Sequence, residues 1–486
     1  MKYLFLVAPF VLILSGCVSV PADFGRAEVD ELTRMRGLDS PASADIDAIL
    51  QRPMSLDAAL TVALLNNPEV TTLQAELMLG SAGLSGASQW PEPMLSFSRL
   101  ELDQPGGVQR TLGLAVSLTD LLTLPARQKM ARLEFLSLKK EVARHLLQLA
   151  NQVVSSFYDY AASCQLTIVQ QQNTRAAQLA AQLARRFYDA GNIDQHELEQ
   201  ARIVAGQAAL ALLDAEVKEL SARTELATLL GLSVGDQWHI DPVLPGLPAV
   251  DPELPAMQSA AQNSRLDLAI ANHHLMLAQQ RQAQVGWTRW LGDVEAGYER
   301  EQEVDDGVLR GPTLDLNLPF FNQRRSQAIG AEARTQIAAA RRLKISIAVD
   351  NDVKSAHLKL GNARRRVEVF QHSLLQSHDL SVQRMQEQYN FMLRGVFDLF
   401  EARRQQFEAY QAYLTAVRDY WLTMSDLTVA VGKAMPIDAS GPGIDLREWF
   451  KTNNDETHEH HVMPGQKEKP ADPDSTRAPA HHHHGT

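Results

Sequence analysis

The sequence predicts a mainly helical chain with a minor β component, built as one unit written twice. Three observations carry this. Landmarks recur at a spacing of about 200 residues, too long for a solenoid unit. One very long stretch, Ala126 to Tyr188, contains neither Pro nor Gly. Four short segments alternate apolar and polar side chains, the period of a strand with one apolar face.

The repeat shows in matched pairs. Asn66-Asn67-Pro68-Glu69-Val70 answers Ser264-Arg265-Leu266-Asp267-Leu268, and Thr111-Leu112-Gly113-Leu114 answers Thr313-Leu314-Asp315-Leu316. Tyr188-Asp189-Ala190-Gly191 answers Tyr389-Asn390-Phe391-Met392, and Gly231 answers Gly432. The Pro-rich segment 241–255 reads as the linker between halves. This divides the chain into residues 1–16 (a leader), 17–53 (an N-terminal segment), 54–240 (first repeat), 256–432 (second repeat) and 433–486 (a tail).

Each half holds long helices. Ala126 to Tyr188 is rich in Ala, Leu, Gln and Arg, all good helix formers. About 65 residues at 1.5 Å each give roughly 100 Å, longer than a globular domain needs. Its counterpart is Asn322 to Tyr389. Return helices are expected over Asp194–Leu230 and Val396–Val431. In the latter, Val396, Leu399, Phe400, Phe407, Tyr410, Leu414, Val417, Trp421, Met424 and Leu427 make the stripe of coiled-coil-like packing. Shorter helices, Leu56–Leu65, Glu69–Gln89 and Arg265–Trp290, fill the length beside the long ones.

The strands are expected at about 93–103, 111–121, 292–301 and 312–320. Leu112, Leu114, Val116 and Leu118 alternate with small or polar residues, as do Val294, Ala296 and Tyr298, and Leu314, Leu316, Leu318 and Phe320. Met94–Leu102 alternates less cleanly, with a phase slip near Ser98. About 9–11 residues is the length of a tilted membrane strand. Trp90, Trp287 and Trp290 stand just before the strands, where an interfacial aromatic belt would lie. Two small soluble hairpins packed on helices would give the same pattern. Four strands cannot close round a pore, since barrel diameter grows with strand number. If they span a membrane, several chains must pool them.

Composition narrows the function. A net charge of −12 argues against a nucleic-acid binder, which needs a basic face. Mean hydropathy of −0.21 argues against membrane-crossing helices but leaves a β-barrel open. Two cysteines exclude a disulfide scaffold. No phosphate loop, nucleotide fingerprint, zinc-protease helix or nucleophile elbow appears, so the chain reads as no enzyme. Residues 1–17 combine Lys2, an apolar run over Tyr3–Leu14, and Leu14-Ser15-Gly16-Cys17. That tetrapeptide resembles a bacterial lipobox, which would leave Cys17 as the lipid-bearing N-terminus. Val18 replaces the Asp that would read as inner-membrane retention, which favours the outer membrane. Cys164 lies on an Ala/Leu/Val-rich helical stretch and reads as a buried structural thiol.

Over about residues 54–432 the chain resembles the outer-membrane factor family, the TolC-like efflux channels, and its lipoprotein members in particular. The carrying motifs are NNPEV at 66–70, LPFFN at 318–322, and the tips FYDAGNIDQHELEQA and QYNFMLRGVFDLFEA. The resemblance implies a homotrimer with a 12-stranded outer-membrane barrel, four strands per chain, continuing into a long periplasmic helical barrel. It implies a passive exit duct that works with a periplasmic adaptor protein and an inner-membrane pump. It places a periplasmic gate at Tyr389, Arg394, Asp398 and Glu401, with Glu197 as the first hairpin's acidic partner. Met392 stands where the family carries Gly, and Glu401 where it carries Asp. Three-fold symmetry turns one acid into a ring of three, and acidic rings favour cations. A solvated helix start would also favour acids at these places. The tips Ala190, Gly191, Asn192, Leu393 and Gly395 are the expected adaptor contacts.

The tail holds His458, His460, His461, His481, His482, His483 and His484, seven of the chain's 15 histidines. Clustered imidazoles bind Cu, Zn or Ni loosely, and a purification tag would account for the last four. No other cofactor is expected. The tail tilts the cargo toward heavy-metal cations. Drug efflux or protein secretion by the same fold, and a poreless periplasmic coiled-coil scaffold, are the alternatives.

Overall fold

The computed structural model describes residues 22–39, 41, 43–101, 107–233, 235–288, 292–303, 307–317, 325–434 and 443–445. Met1–Ile444 and Asp445–Thr486 form separate units, and all that follows concerns the first. In chain order the elements are α1 (Arg26–Arg34), α2 (Ile46–Leu50), α3 (Leu56–Asn66), α4 (Pro68–Ser88), β1 (Met94–Glu101), β2 (Val108–Ser117), α5 (Leu118–Asp189) and α6 (Gln195–Leu229). They continue as α7 (Leu254–Ser264), α8 (Leu266–Thr288), β3 (Asp293–Gln302), β4 (Val308–Asn317), α9 (Arg325–Val369), a π-turn (Phe370–Leu374), α10 (Leu375–Asn390) and α11 (Val396–Val431). The run α3-α4-β1-β2-α5-α6 is thus repeated as α7-α8-β3-β4-α9/α10-α11.

The repeat is also a repeat of contacts. Asn67 caps α4 by accepting the Glu69 N–H at 2.8 Å. Its side-chain N–H donates to the Leu229 carbonyl at the end of α6, also at 2.8 Å. In the second half Arg265, the counterpart of Asn67, donates to the Ala430 carbonyl at the end of α11, at 3.1 Å. Each long return helix is therefore closed by the entry to the short helix of its own repeat. Gly231 (φ 70°) and Gly432 (φ 74°) end the return helices in the left-handed region, where a Cβ is costly.

α5 is longer than expected. Its 72 residues span about 108 Å. The second strand therefore stops at Ser117 and does not reach residue 121 as the alternation implies. Leu118 keeps the strand's phase, but the Ser117 hydroxyl accepts the Asp120 N–H at 3.1 Å and starts a helix there. Pro125 sits inside α5, where it removes one backbone hydrogen bond. The matching long helix is interrupted by the π-turn at Phe370–Leu374, which inserts one wide turn between α9 and α10.

α11 follows its predicted bounds, and the stripe from Phe407 to Leu427 is buried. The core centres on Tyr420 and Trp421, fully enclosed. Tyr158 packs on Trp421 with ring centroids 5.3 Å apart. The Pro-rich linker is fixed to this belt. Arg364 forms a bidentate pair with Asp251, both bonds 2.7 Å, and the Trp421 indole donates to the Pro245 carbonyl at 2.9 Å. Leu244 exchanges two backbone hydrogen bonds with Ile444. Ile444, which lies in the segment read as a tail, thus pairs with the linker.

The N-terminal segment contains α1 and α2. α1 packs on α5, where Lys139, only 5% exposed, pairs with Glu28 and lies over the Phe135 ring.

The four strands form one antiparallel sheet in the order β1-β2-β3-β4. β2 and β3 belong to different repeats, so the central pairing joins the halves. β1 pairs with β2 without interruption from Met94↔Ala115 to Glu101↔Val108. There is no slip at Ser98. Both strand-joining turns lie at one end of the sheet, and all the helices leave from the other.

Candidate functional site

Two places carry the functional expectations: the helix-hairpin tips and the sheet. The first tip joins α5 to α6. Gly191 (φ 73°) sends its N–H to the Tyr188 carbonyl at 2.9 Å, and Asn192 sends its own to Phe187 at 2.8 Å. Asp194 then starts α6. Its carboxylate accepts the Glu197 N–H at 2.9 Å, and the Glu197 carboxylate accepts the Asp194 N–H at 3.3 Å. This reciprocal cap satisfies two donors that would otherwise be unpaired.

The second tip repeats the turn. Met392 (φ 57°) donates to Tyr389 at 2.9 Å, and Leu393 donates to Gln388 at 2.9 Å. Met392 therefore keeps the turn that Gly191 makes, at the cost of a side chain in the left-handed region. Asp398 occupies the place of Glu197 and accepts the Gly395 N–H at 3.3 Å. Gly395 has no side chain to return the bond. Phe391, Met392 and Leu393 are all exposed, Met392 by 92%. The two tips meet where the Phe187 and Phe397 rings stand edge-on, 6.1 Å apart.

Of the five expected gate residues, the fold brings two together. Glu197 and Glu401 line one cavity of about 760 Å³ between α5, α6 and α11. Arg404 and Glu408, not foreseen, line it too. Arg404 donates to Glu401 at 2.9 Å and also binds Glu408. Its hydrogen bonds hold the Glu401 carboxyl below its ordinary range. The Glu-x-x-Arg-x-x-x-Glu spacing, three and four residues along one helix, was the signal for this clamp. Tyr389 and Arg394 are exposed at the tip, and Arg394 forms no ion pair among the described residues. Asp398 lies outside the cavity.

The sheet segregates its charges. The register puts Leu95, Phe97, Leu112, Leu114, Val116, Val294, Ala296, Tyr298, Leu314 and Leu316 on one face. The opposite face carries Asp293, Glu295, Glu299, Glu301 and Asp315, and none of the described strand cations. Leu95, Phe97, Tyr298, Leu314 and Leu316 are exposed, as are Trp90 and Trp287 at the helical end. β1 and β4 have no strand beyond them among the described residues.

Cys164, read as a buried thiol, is only half-buried, and its loss of solvent pushes the thiol up to about 12. Among the described residues no three His, Cys, Asp or Glu side chains gather as metal ligands. No described helix is long and apolar enough to cross a membrane. Cys17, Trp290, the LPFFN segment and the seven tail histidines lie outside the described residues.

An open four-stranded sheet with an apolar face, continued by paired helices of about 100 Å, is the build of an outer-membrane channel protomer. Residues 59–232, almost all of the first repeat, match the family model described as Outer membrane efflux protein. No curated protein matches the sequence. The fold is shared with the CmeC outer membrane channel of Campylobacter jejuni, at TM-score 0.67 and 15% identity over 89% of this chain and 96% of that one. VceC, an outer membrane protein of Vibrio cholerae, matches at TM-score 0.62 and 15% identity, covering 78% of this chain and 96% of its own. CusC, whose structures address transmembrane channel formation, matches at 0.64 and 18% identity over 78% and 92%.

Proposed function

We propose that three copies of this chain form the outer-membrane exit duct of a tripartite efflux system. The observation that carries the reading is the sheet with two open edges. β4 of one copy lies antiparallel to β1 of the next in a ring, so copies close a barrel that one chain cannot. Three copies supply the twelve strands that the resemblance implies. A second feature agrees. On α6, Ile203, Leu210, Leu213, Val217 and Leu220 are exposed at spacings of seven, three and four. That is a coiled-coil seam facing outward, as a helical barrel between copies requires.

The duct is passive, with no catalytic residue, and it favours cations. The acidic face of the sheet becomes the lumen wall when the apolar face meets lipid. Asp398 and Glu197 add acids at the tips, and Glu401 sits behind them in its clamp. Heavy-metal cations are the cargo that the lumen charge and the tail histidines favour together. The exposed Phe391-Met392-Leu393 tip, with Ala190, Gly191, Asn192 and Gly395, is the docking point for a periplasmic adaptor, behind which stands an inner-membrane pump. Cys17 carries the lipid anchor, and Cys17→Ser abolishes incorporation of labelled palmitate.

The deciding experiment is planar-bilayer conductance of the detergent-purified protein, with its oligomeric state measured alongside. A trimer with cation-selective conductance is expected, and Asp398→Ala lowers that selectivity. A delipidated monomer, soluble without detergent and non-conducting, sinks the reading.

A further inference from the structure

The phase slip near Ser98 is absent from the backbone, so the residues that produce it need another account. In the uninterrupted register Arg99 falls on the apolar face of the sheet. Arg110, Arg300 and Arg310 fall on the same face. These are the basic residues of the described strands, and all four sit toward the strand-joining turns, away from the helices. Arg99 stands directly opposite Arg110, and Arg300 directly opposite Arg310. Arg300 also stands opposite Leu112, two residues from Arg110, so the two pairs are adjacent.

Like charges directly opposite one another destabilise a strand pair. Two such pairs on neighbouring rows are a cost to the sheet. On this face Glu101 alone answers, pairing with Arg99 at 2.6 Å. Arg110, Arg300 and Arg310 are exposed and have no acidic partner among the described residues. The other five acids of the described strands, Asp293, Glu295, Glu299, Glu301 and Asp315, all lie on the opposite face. No other acid of the described residues supplies the counter-charge for these arginines, and a phosphate on the side that meets lipid would.

We propose that Arg99, Arg110, Arg300 and Arg310 form a cationic rim that binds the phosphorylated headgroups of outer-leaflet lipids. The inference rests on the reading above that the apolar face meets the membrane, with the strand-joining turns on the outer side. Arginine suits the place: its stem lies along apolar surface while the guanidinium reaches the headgroup layer and grips phosphate with two bonds. Near the interface an arginine on the lipid face costs little. Each is worth roughly fivefold in affinity for an anionic surface. In a ring of copies the rim is continuous, and it sets the depth at which the barrel sits.

The test compares the full-length protein with a variant carrying Arg99→Gln, Arg110→Gln, Arg300→Gln and Arg310→Gln. The probe is lipid A, bisphosphorylated or dephosphorylated, in phosphatidylcholine vesicles or in detergent, with retained lipid counted by native mass spectrometry. The parent retains the phosphorylated lipid, and the variant holds it at least about tenfold more weakly. The corresponding Arg→Lys variant keeps much of the binding. The Arg→Gln protein melts no lower than the parent, because two repulsive pairs are gone; a merely structural role would lower it. Equal retention by parent and variant overturns the proposal. So does equal retention of the dephosphorylated lipid, and so does inorganic phosphate binding as tightly as the lipid. Conductance is recorded on the same samples. A channel that conducts but does not retain the lipid refutes the rim alone, whereas a protein that does not conduct refutes the membrane reading.

Discussion

The two hairpin tips make the same turn from different residues. In the first, Gly191 takes the left-handed position without a Cβ, and Asp194 and Glu197 close a reciprocal cap. In the second, Met392 takes that position, and Asp398 caps Gly395 from one side only. Local chemistry therefore stabilises the first tip more than the second. The second tip also exposes the apolar run Phe391-Met392-Leu393. One copy of the repeat has kept the residues its turn prefers, and the other presents a sticky, less firmly held end. An adaptor bound at the proposed docking point would supply the stability that the tip's own residues do not.

The largest test of this repeat comparison lies at the opposite ends of the return helices. A Cβ on Gly231 would stand 2.6 Å from the Asn66 carbonyl oxygen, whereas one on Gly432 would stand 3.1 Å from Arg265 Cα. Both residues also have positive φ. Gly231→Ala is expected to cost about 3 kcal/mol and Gly432→Ala about 2 kcal/mol, read from urea unfolding in detergent. Equal costs would mean that the two closures are packed alike.

At the tips the expected effects are smaller and opposite in sign. Met392→Gly raises stability by up to about 1 kcal/mol by relieving the left-handed side chain, and Gly191→Met lowers it by about the same. Thermal unfolding of the two variants side by side measures this. Asp194→Ala removes the first tip's cap at a cost of about 1 kcal/mol, while Gly395→Asp supplies the second tip's missing half and gains a few tenths of a kcal/mol.

The smallest effect concerns the Glu401 clamp. Arg404 depresses the folded-state pKa of Glu401. Its contribution to stability is therefore present above the unfolded carboxylate pKa. It is lost as pH falls through the depressed folded value. Because the pair is half exposed, the contribution is under about 1 kcal/mol. Arg404→Gln is expected to flatten the acid limb of the stability–pH curve and to lower stability at neutral pH by no more than that amount, read from unfolding midpoints across pH.

Much of this architecture is legible in the chain. Val396–Val431 can be bounded to the residue, because Gly395 and Gly432 punctuate an uninterrupted heptad-like stripe. The sheet is legible through its period of two. What fails does so for particular reasons. Leu118 keeps the alternation going, and only the Ser117 cap shows that the chain has already turned helical. The π-turn at Phe370–Leu374 leaves the apolar spacing almost unchanged and has no sequence signature here. Arg99 reads as a slipped phase because alternation is judged by hydropathy, and a cation on the apolar face violates that rule without moving the backbone. The tip acids can be named from the resemblance. Their meeting cannot be read from one chain, because Tyr389, Arg394 and Asp398 find no gate partner among its described residues.

The open edges of β1 and β4 have a consequence for how the duct is made. A lone protomer carries two templates for strand addition, and a pair of protomers still carries two. Only the last copy to join removes both at once. Partial rings therefore gain little over separate chains, and in the proposed assembly the population of closed rings rises steeply with local concentration. Ring closure then acts as a one-way step. A single chain with a proline in the outer row of β1 would block every ring it entered, so a minority of such chains should silence a majority of normal ones.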